Sequence, residues 1–297
     1  MKSLRITLFS LLLGFSIFYS YCFELKKSRH FNIKYTPSEH PYIETSFNGF
    51  LENFRIDLGG SFFIKIDPLI SDKINRKQFE RDTTIVDVNG NKRVFQEYCL
   101  NNVKFMEIKF DKIFFLPNPK LPIKTNTIEC DIESVFSKSI KTEKDTLSLI
   151  GHRILIDLNF SFDFSKNLFS IYRPGLVPLY HFPFGFLSSS KKIPFEYDYN
   201  NGIICKVMTD FGEKRLLVDT CAPVSLLKIQ DNSESEISLS KFILGDKNLG
   251  PIKVLGVKTL PSDCYEGVIG MDVLFNKTIF FNLSENFLCL KTNKTQR

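Results

Sequence analysis

The sequence lacks several residues and motifs on which common classes of enzyme depend. It contains no tryptophan and only four histidines, and these show no HExxH spacing. No CxxC pair, GxSxG elbow or glycine-rich phosphate loop occurs. These absences argue against a zinc peptidase, a serine hydrolase with a nucleophile elbow and a P-loop enzyme. We therefore predict neither a metal ion nor a cofactor, while a papain-like pairing of cysteine with histidine stays open.

Long runs of like charge are also missing. The chain has 39 Lys and Arg against 33 Asp and Glu, for a net charge of +6, and the two signs are mixed along its length. A nucleic-acid-binding protein would show a basic stripe or a known motif, so we predict no nucleic-acid partner. With 43% hydrophobic residues among 297, the chain is long enough for about two folded units.

The N-terminus has the layout of an export signal. Two basic residues precede an apolar stretch over 6–19, and Ser20 and Cys22 take the −3 and −1 positions of a cleavage before Phe23. The stretch is shorter than the ~20 residues that a membrane span needs. We predict a cleaved signal peptide over 1–22 and export to the periplasm or the medium. An uncleaved anchor, which would be the chain's membrane contact, and a lipid-modified Cys22 are the alternatives.

Cleavage at this point would leave six cysteines. An even number in an exported chain permits disulfides, and buried free thiols are equally compatible with the sequence. The six are Cys99, Cys130, Cys205, Cys221, Cys264 and Cys289.

Two segments resemble each other at an offset of 119 residues. Residues 149–171 read LIGHRILIDLNFSFDFSKNLFSI, and residues 268–290 read VIGMDVLFNKTIFFNLSENFLCL. Six of the 23 positions are identical, among them Gly151 and Gly270. Both segments predict a short helix, over 153–155 and 272–275, followed by a β-hairpin around a Ser-x-Asn turn. The chain therefore contains an internal repeat.

A second shared element precedes each repeated segment. FRIDLGGSFFIKI contains Asp57, and RLLVDTCAPVSLLKI contains Asp219. Each reads as an apolar strand, an aspartate, small residues and another apolar strand. Two such turns facing each other would bring their carboxyl groups together, and two close like charges would then share one proton. One carboxylate could activate a water while the other polarises a carbonyl, which is acid–base hydrolysis of a peptide bond.

These elements, in this order and present twice, resemble the retropepsin-like and pepsin-like aspartic peptidases. Lobes of that family carry an apolar strand, Asp-Thr/Ser-Gly-Ala/Ser, and later an apolar-apolar-Gly element with a short helix. The resemblance implies an all-β, bilobal fold of two tandem β-barrel lobes related by a pseudo-two-fold axis, with very little helix. The matching segments are 217–222 and 267–274 in the second half and, more loosely, 55–60 and 149–155 in the first.

The resemblance also implies domain boundaries and a flap. We expect an N-terminal lobe over 23–172, a Pro-, Gly- and Ser-rich linker over 173–192 and a C-terminal lobe over 193–297. Asn89-Gly90 predicts a hairpin over about 84–99 in the longer first half. In the family a first-lobe hairpin closes over the substrate, and an ordinary surface hairpin is the alternative. Two lobes in one chain imply a monomer.

By resemblance, Asp57 and Asp219 are the catalytic pair. The residues that support their loops are Leu58, Gly59, Gly60, Thr220, Cys221, Ala222, Gly151 and Gly270.

Two positions depart from the family pattern. The residue after each aspartate is normally Thr or Ser, whose hydroxyl bonds across the lobe interface; Thr220 keeps it and Leu58 does not. The next residue is normally Gly; Gly59 keeps it and Cys221 does not. We expect a Cβ at 221 to crowd the facing carboxylate if the turn needs backbone angles that only glycine adopts. Cys221 reads as a small buried residue, with a disulfide or a redox role as alternatives.

Two hypotheses follow. The first is an exported aspartic endopeptidase that cleaves extended, mostly apolar peptides at mildly acidic pH. The second is a catalytically inactive protein of the same fold that binds a peptide or protein partner between its lobes. We expect the enzyme, because both aspartates stand at matching positions. The two altered turns support the alternative, since fold does not fix function.

Overall fold

The computed structural model describes residues 28–37, 39–75, 77–86, 92–117, 148–172, 191–229 and 235–292. The expected signal peptide, most of the expected linker, Cys130 and the Asn89-Gly90 turn lie outside these ranges. Within the described ranges, no helix has the length and apolar character that a membrane crossing requires.

The described chain is all-β with little helix, which confirms the expected class. Its helical segments are α1 (Pro68–Lys73), a 3₁₀ helix (His152–Leu155) and α2 (Met271–Leu274). Its strands are β1 (Arg29–Tyr35), β2 (Pro41–Phe47), β3 (Phe50–Asp57), β4 (Ile64–Ile66), β5 (Gln78–Val86), β6 (Lys92–Phe105), β7 (Ile108–Pro117), β8 (Ser148–Gly151), β9 (Asn159–Asp163), β10 (Leu168–Tyr172), β11 (Ile193–Asp198), β12 (Gly202–Thr209), β13 (Gly212–Val218), β14 (Leu226–Lys228), β15 (Glu236–Leu239), β16 (Phe242–Leu244), β17 (Lys247–Asn248), β18 (Ile252–Val257), β19 (Gly267–Ile269), β20 (Lys277–Asn282) and β21 (Phe287–Thr292).

In the first half, the strand that ends in Asp57 pairs with the strand of the first glycine element. β3 runs parallel to β8, with Asp57 opposite Gly151. β4 packs beside them, antiparallel to β8 and parallel to β7. Both ends of the turn between β3 and β4 are therefore held by the same strand, β8.

The second half repeats this pattern of pairings. β13 runs parallel to β19, and the Asp219 N–H donates to the Ile269 carbonyl at 3.0 Å. β14 is antiparallel to β19 and parallel to β18. Both aspartates thus follow a strand that is paired in parallel with a glycine element.

A six-stranded antiparallel sheet joins the two halves. Its strand order is β1-β10-β9-β20-β21-β11. β9 from the first half meets β20 from the second, with Ser161 opposite Phe280. The hairpins predicted around the Ser-x-Asn turns are β9–β10 and β20–β21, so the sequence repeat forms the centre of this sheet.

Phenylalanine fills the core that this sheet covers. The chain has 31 phenylalanines and no tryptophan. Phe160 stacks on Phe281 across the junction of the halves with ring centroids 4.8 Å apart, and Phe162 packs on Phe169 at 4.9 Å. One cluster of buried side chains extends from Phe31 to Leu290. The apolar side chains of both halves therefore share one core.

The sequence predicted two of the three short helices. The helices expected over 153–155 and 272–275 are present within one residue of those bounds. Helix α1 was missed, although Asp67 and Pro68 give it a recognisable start. The Asp67 side chain accepts the Leu69 N–H at 2.7 Å, and proline suits the first helical position because its missing N–H would have no partner there.

The hairpin predicted near residue 90 is present in its strands. β5 and β6 pair antiparallel from Gln78 opposite Cys99 to Val86 opposite Lys92. The hairpin is therefore longer than the 84–99 that the sequence indicated.

The described cysteines give no support to the expected disulfides. No bond joins any two of them; Cys99, Cys205 and Cys289 are buried thiols, and Cys264 is exposed. The alternative of buried thiols fits this part of the chain.

Candidate functional site

The two aspartates meet where β3 and β13 end. Asp57 is the last residue of β3, and Asp219 directly follows β13. Ligand atoms of Asp57, Asp219 and Cys221 all lie within 4.8 Å of one another. Two carboxyl groups that are 162 residues apart in the chain are thus neighbours in the fold. The same donor atoms are close enough to hold a metal ion, a possibility that the sequence did not suggest.

Glycine at position 59 leaves room for the facing turn, and glycine at position 60 leaves room within its own turn. A Cβ built on Gly59 would lie 2.5 Å from the Asp219 carboxyl carbon. A Cβ on Gly60 would strike the Phe62 ring and lie 2.7 Å from Asp57 Oδ2. Neither glycine has a left-handed backbone, so the requirement is for space. Any side chain at 59 would push the carboxyl groups apart.

Cys221 does not strain its turn as we had expected. It is not among the described residues with a positive φ, so its backbone accepts a Cβ. Its N–H donates to Asp219 Oδ1 at 2.7 Å, and its thiol points to the Ile56 carbonyl at 3.6 Å. The side chain thus lies against the turn from the other half.

Thr220 ties the two turns together. Its hydroxyl donates to the Ile56 carbonyl at 2.5 Å and accepts the Leu58 N–H at 3.2 Å. Leu58 is fully buried and packs in the core, and it has no polar side-chain atom with which to return the interaction. The link between the turns is therefore one-sided.

The two glycine elements support the turns by close backbone crossings. The Gly151 N–H donates to the Phe63 carbonyl at 2.9 Å, and a Cβ at 151 would collide with the Phe62 carbonyl. A Cβ on Gly270 would lie 2.6 Å from the Val224 backbone. The Ala222 carbonyl accepts the Met271 N–H at 2.8 Å. Each aspartate turn is thus braced by the glycine element of its own half.

The pair holds a proton because its surroundings disfavour two charges. Burial and the neighbouring Asp57 charge raise the pKa of Asp219 to about 7. Hydrogen bonds from backbone N–H groups of both turns act in the opposite direction and lower it. Burial also raises the pKa of Asp57, and Lys65 and Arg55 act against that rise. The two cations thus favour the ionised form of Asp57, and the raised pKa of Asp219 keeps a proton on the pair up to near-neutral pH.

Sequence reasoning missed a contact between the halves beside this site. His152 Nδ1 and the Tyr197 hydroxyl lie 2.8 Å apart, and Arg153 donates to the Tyr199 carbonyl at 3.1 Å. Burial, followed by the Arg153 charge, lowers the pKa of His152 to about 3, so the imidazole is neutral. We had expected a packed or surface histidine, and it is packed. Nothing in the sequence links it to Tyr197.

The β5–β6 hairpin packs on the Asp57 turn. Phe95 of β6 lies against the cluster of Phe62, Leu116 and Leu149. Asn89 and Gly90, the flap candidates at its tip, are outside the described residues.

Comparisons with known proteins support the fold alone. No family model matches the sequence, and no curated protein does. Conglutin gamma, a basic 7S globulin from lupine seeds, has a similar structure, with a TM-score of 0.57 and 8% identity over 90% of this chain and 95% of that one. Basic 7S globulin from soybean gives a TM-score of 0.53 and 8% identity over the same shares. Both are named as globulins, and at 8% identity the likeness shows the fold alone.

Proposed function

We propose that Asp57 and Asp219 form the acid–base pair of an aspartic-type endopeptidase. The observation that carries this proposal is the meeting of two carboxyl groups from distant strands, with glycine at 59 leaving room for both. A pair that shares one proton offers a base and an acid at the same pH. The other residues predicted for the site support the loops that hold this pair.

In this mechanism the two aspartates have different tasks. Asp57, whose ionised form Lys65 and Arg55 favour, would take a proton from a water molecule as that water attacks the peptide carbonyl. Protonated Asp219 would donate to the carbonyl oxygen. As the C–N bond of the tetrahedral intermediate breaks, the leaving amine takes the proton from Asp57 and Asp219 regains a proton from a hydroxyl of the intermediate, so the pair is restored and no covalent enzyme intermediate forms. The β5–β6 hairpin would cover the bound peptide.

The proposal includes two lobes related by a pseudo-two-fold axis. At the repeat offset of 119, Ser161 corresponds to Phe280, and these two residues face each other between β9 and β20. A two-fold axis through that pair would exchange Phe160–Phe281 with Phe162–Ile279, and both of these are pairs of the same ladder. The matched pairings of β3 with β8 and of β13 with β19 support the same symmetry.

Several further features belong to the proposal. They are lobes over 23–172 and 193–297 joined by a linker over 173–192, a monomeric state, a cleaved signal over 1–22 with export, and a peptide or protein as substrate.

A non-catalytic binding protein is the second candidate. The comparisons favour it over the enzyme, because both structures of similar fold are named as globulins. The one-sided link between the turns points the same way, since the apolar Leu58 side chain makes no hydrogen bond to match that of the Thr220 hydroxyl. Such a protein would hold a peptide or protein partner between its lobes.

A cleavage assay separates the two candidates. The purified protein is incubated with an unfolded protein substrate from about pH 3 to pH 7, beside Asp57→Asn and Asp219→Asn, with all three shown to be folded by circular dichroism. The enzyme predicts cleavage that both variants lose. Cleavage that survives in either variant contradicts the shared-proton pair.

A restored variant makes a negative result informative. Leu58→Thr with Cys221→Gly returns both turns to the family pattern. Activity in this variant, and none in wild type, would assign wild type to the binding class. Inactivity in both folded proteins would contradict the peptidase proposal.

A further inference from the structure

The two carboxyl groups of the pair have unequal charged neighbours. Lys65 and Arg55 both favour the ionised form of Asp57, whereas Asp219 is influenced chiefly by burial and by Asp57 itself. The Arg55 guanidinium also contacts His40 Nδ1 at 3.3 Å. On the other side, Tyr265 and the Cys221 thiol face Asp219 or its turn.

A continuous set of contacts connects Lys65 to Asp57. The Lys65 ammonium lies 4.4 Å from the centroid of the Phe62 ring. The edge of that ring and Asp57 Oδ2 both border Gly60, because a Cβ built on this glycine would contact the ring edge and lie 2.7 Å from Oδ2. The ammonium, the ring and the carboxylate are thus consecutive neighbours. β4 fixes the lysine backbone, which pairs with Leu116 and Leu149.

The β5–β6 hairpin supplies a second ring for the same ammonium. Phe95 lies 5.4 Å from the Lys65 nitrogen, and it also packs on the cluster that contains Phe62. A cation held over aromatic faces is attracted to them, and more strongly where water is excluded. The position of the hairpin therefore influences where the ammonium rests, and the charges of this ammonium and of Arg55 both favour ionised Asp57.

We propose that Lys65 is a positioning residue that keeps the negative charge of the pair on Asp57, and that Phe95 of the hairpin holds it in that place. When the hairpin packs on the Asp57 turn, both rings hold the ammonium at the Phe62 ring, whose edge borders the Asp57 carboxylate. When the hairpin lifts, Lys65 loses one ring and moves more freely. Its consequence for catalysis rests on the proposed function, while the location of the charge can be measured in an inactive chain.

The test is a titration of the two carboxyl groups by NMR. The full protein is labelled with ¹³C at the aspartate Cγ, and the signals of the pair are assigned with Asp57→Asn and Asp219→Asn. Lys65→Met is compared with Lys65→Arg, which keeps the charge. Lys112→Met is the matched control, because Lys112 also lies over a phenylalanine, 4.6 Å from the Phe114 centroid.

We expect Lys65→Met to raise the pKa of the first step of the pair by about 1 unit, since an opposite charge nearby lowers a carboxyl pKa by about 1–3. Lys65→Arg and Lys112→Met should titrate like wild type, and Phe95→Leu should shift the step in the same direction by less. If the protein cleaves peptides, the acidic limb of kcat/KM moves upward with the NMR step, so that activity below that limb falls about tenfold.

Unchanged titration in Lys65→Met, or a shift that Lys65→Arg shares, would overturn the proposal. Should Lys65→Met fail to fold, Lys65→Gln removes the same charge and gives the same decision. The NMR result does not depend on turnover, so absent cleavage would count against the proposed function and not against this inference.

Discussion

At the residue scale, the site depends on a few positions at which the two halves carry different residues. Gly59 and Cys221 follow the two aspartates at the same distance, yet the space at 59 would exclude a side chain and the space at 221 accepts one. The motifs allowed both aspartates and their glycines to be located in the sequence. The fit of Cys221 could not be foreseen, because it depends on the backbone angles of one turn.

The one-sided link at Thr220 makes a prediction about stability. Thr220→Val removes the partner of the Leu58 N–H and leaves the Ile56 carbonyl with the longer contact to the Cys221 thiol. An orphaned buried group costs about 1–3 kcal/mol, so we expect a loss of that size in the free energy of unfolding. Urea denaturation measures it, with Thr220→Ser as the control that keeps the hydroxyl. Equal stability of the two variants would contradict the role of this hydroxyl.

Asp219 makes a prediction about pH. The pKa of Asp219 rises from 3.8 to about 7 on folding, so the folded chain binds more protons than the unfolded chain between these values. The stability due to this group is therefore present at low pH and is lost as pH rises through about 7. We expect Asp219→Asn to raise Tm at pH 7.5 by several degrees and to make Tm vary less with pH above pH 4. Thermal unfolding at several pH values decides; a lower Tm at pH 7.5 would oppose this account.

At the scale of elements, the repeat predicted strands and helices well and their docking poorly. Alternating apolar residues and turn motifs indicated the hairpins, because those patterns are local. The 3₁₀ helix packs on the β11–β12 hairpin, where His152 contacts Tyr197 of β11, 45 positions further along the chain. The repeat did not help here, since Arg153 and Asp272 occupy equivalent positions and bind different partners, Tyr199 and Ser225.

This docking contact can be tested with a pair of tyrosines. Tyr197→Phe removes the hydroxyl next to His152 Nδ1, whose other ring nitrogen already lacks a partner. We expect a loss of about 1–2 kcal/mol in the free energy of unfolding, as for other orphaned buried groups. Tyr199→Phe is the control, because Tyr199 is exposed and keeps its ring contact with Arg153. Equal effects of the two variants would show that the Tyr197 hydroxyl is not a structural partner.

At the scale of the whole molecule, one sheet and one core serve both halves. Within the described sheet the two halves meet where β9 pairs with β20, and the phenylalanines beneath these strands belong to one cluster. Composition and the repeat predicted two units of an all-β protein. That the two units share one sheet and one core was not predictable, because it depends on the register between strands more than 100 residues apart.

We therefore expect the described halves to unfold together. Phe281→Ala removes a fully buried ring that stacks on Phe160, and should cost about 3–5 kcal/mol. Hydrogen exchange should show β2 and β12 losing protection in one transition. Phe211→Ala, at a side chain 56% exposed, is the control with little expected effect. Two separate transitions would contradict a shared core.

The parallel pairing of β3 with β8 also sets an order of events during synthesis. Gly151 leaves the ribosome 94 residues after Asp57, so the turn that carries this aspartate waits unbraced for that time. β9 then has an unpaired edge until β20 is made, and such an edge is a site of aggregation between nascent chains. The brace of the second aspartate, at Gly270, comes later still. A half-made chain thus has neither the carboxyl pair nor any activity that depends on it.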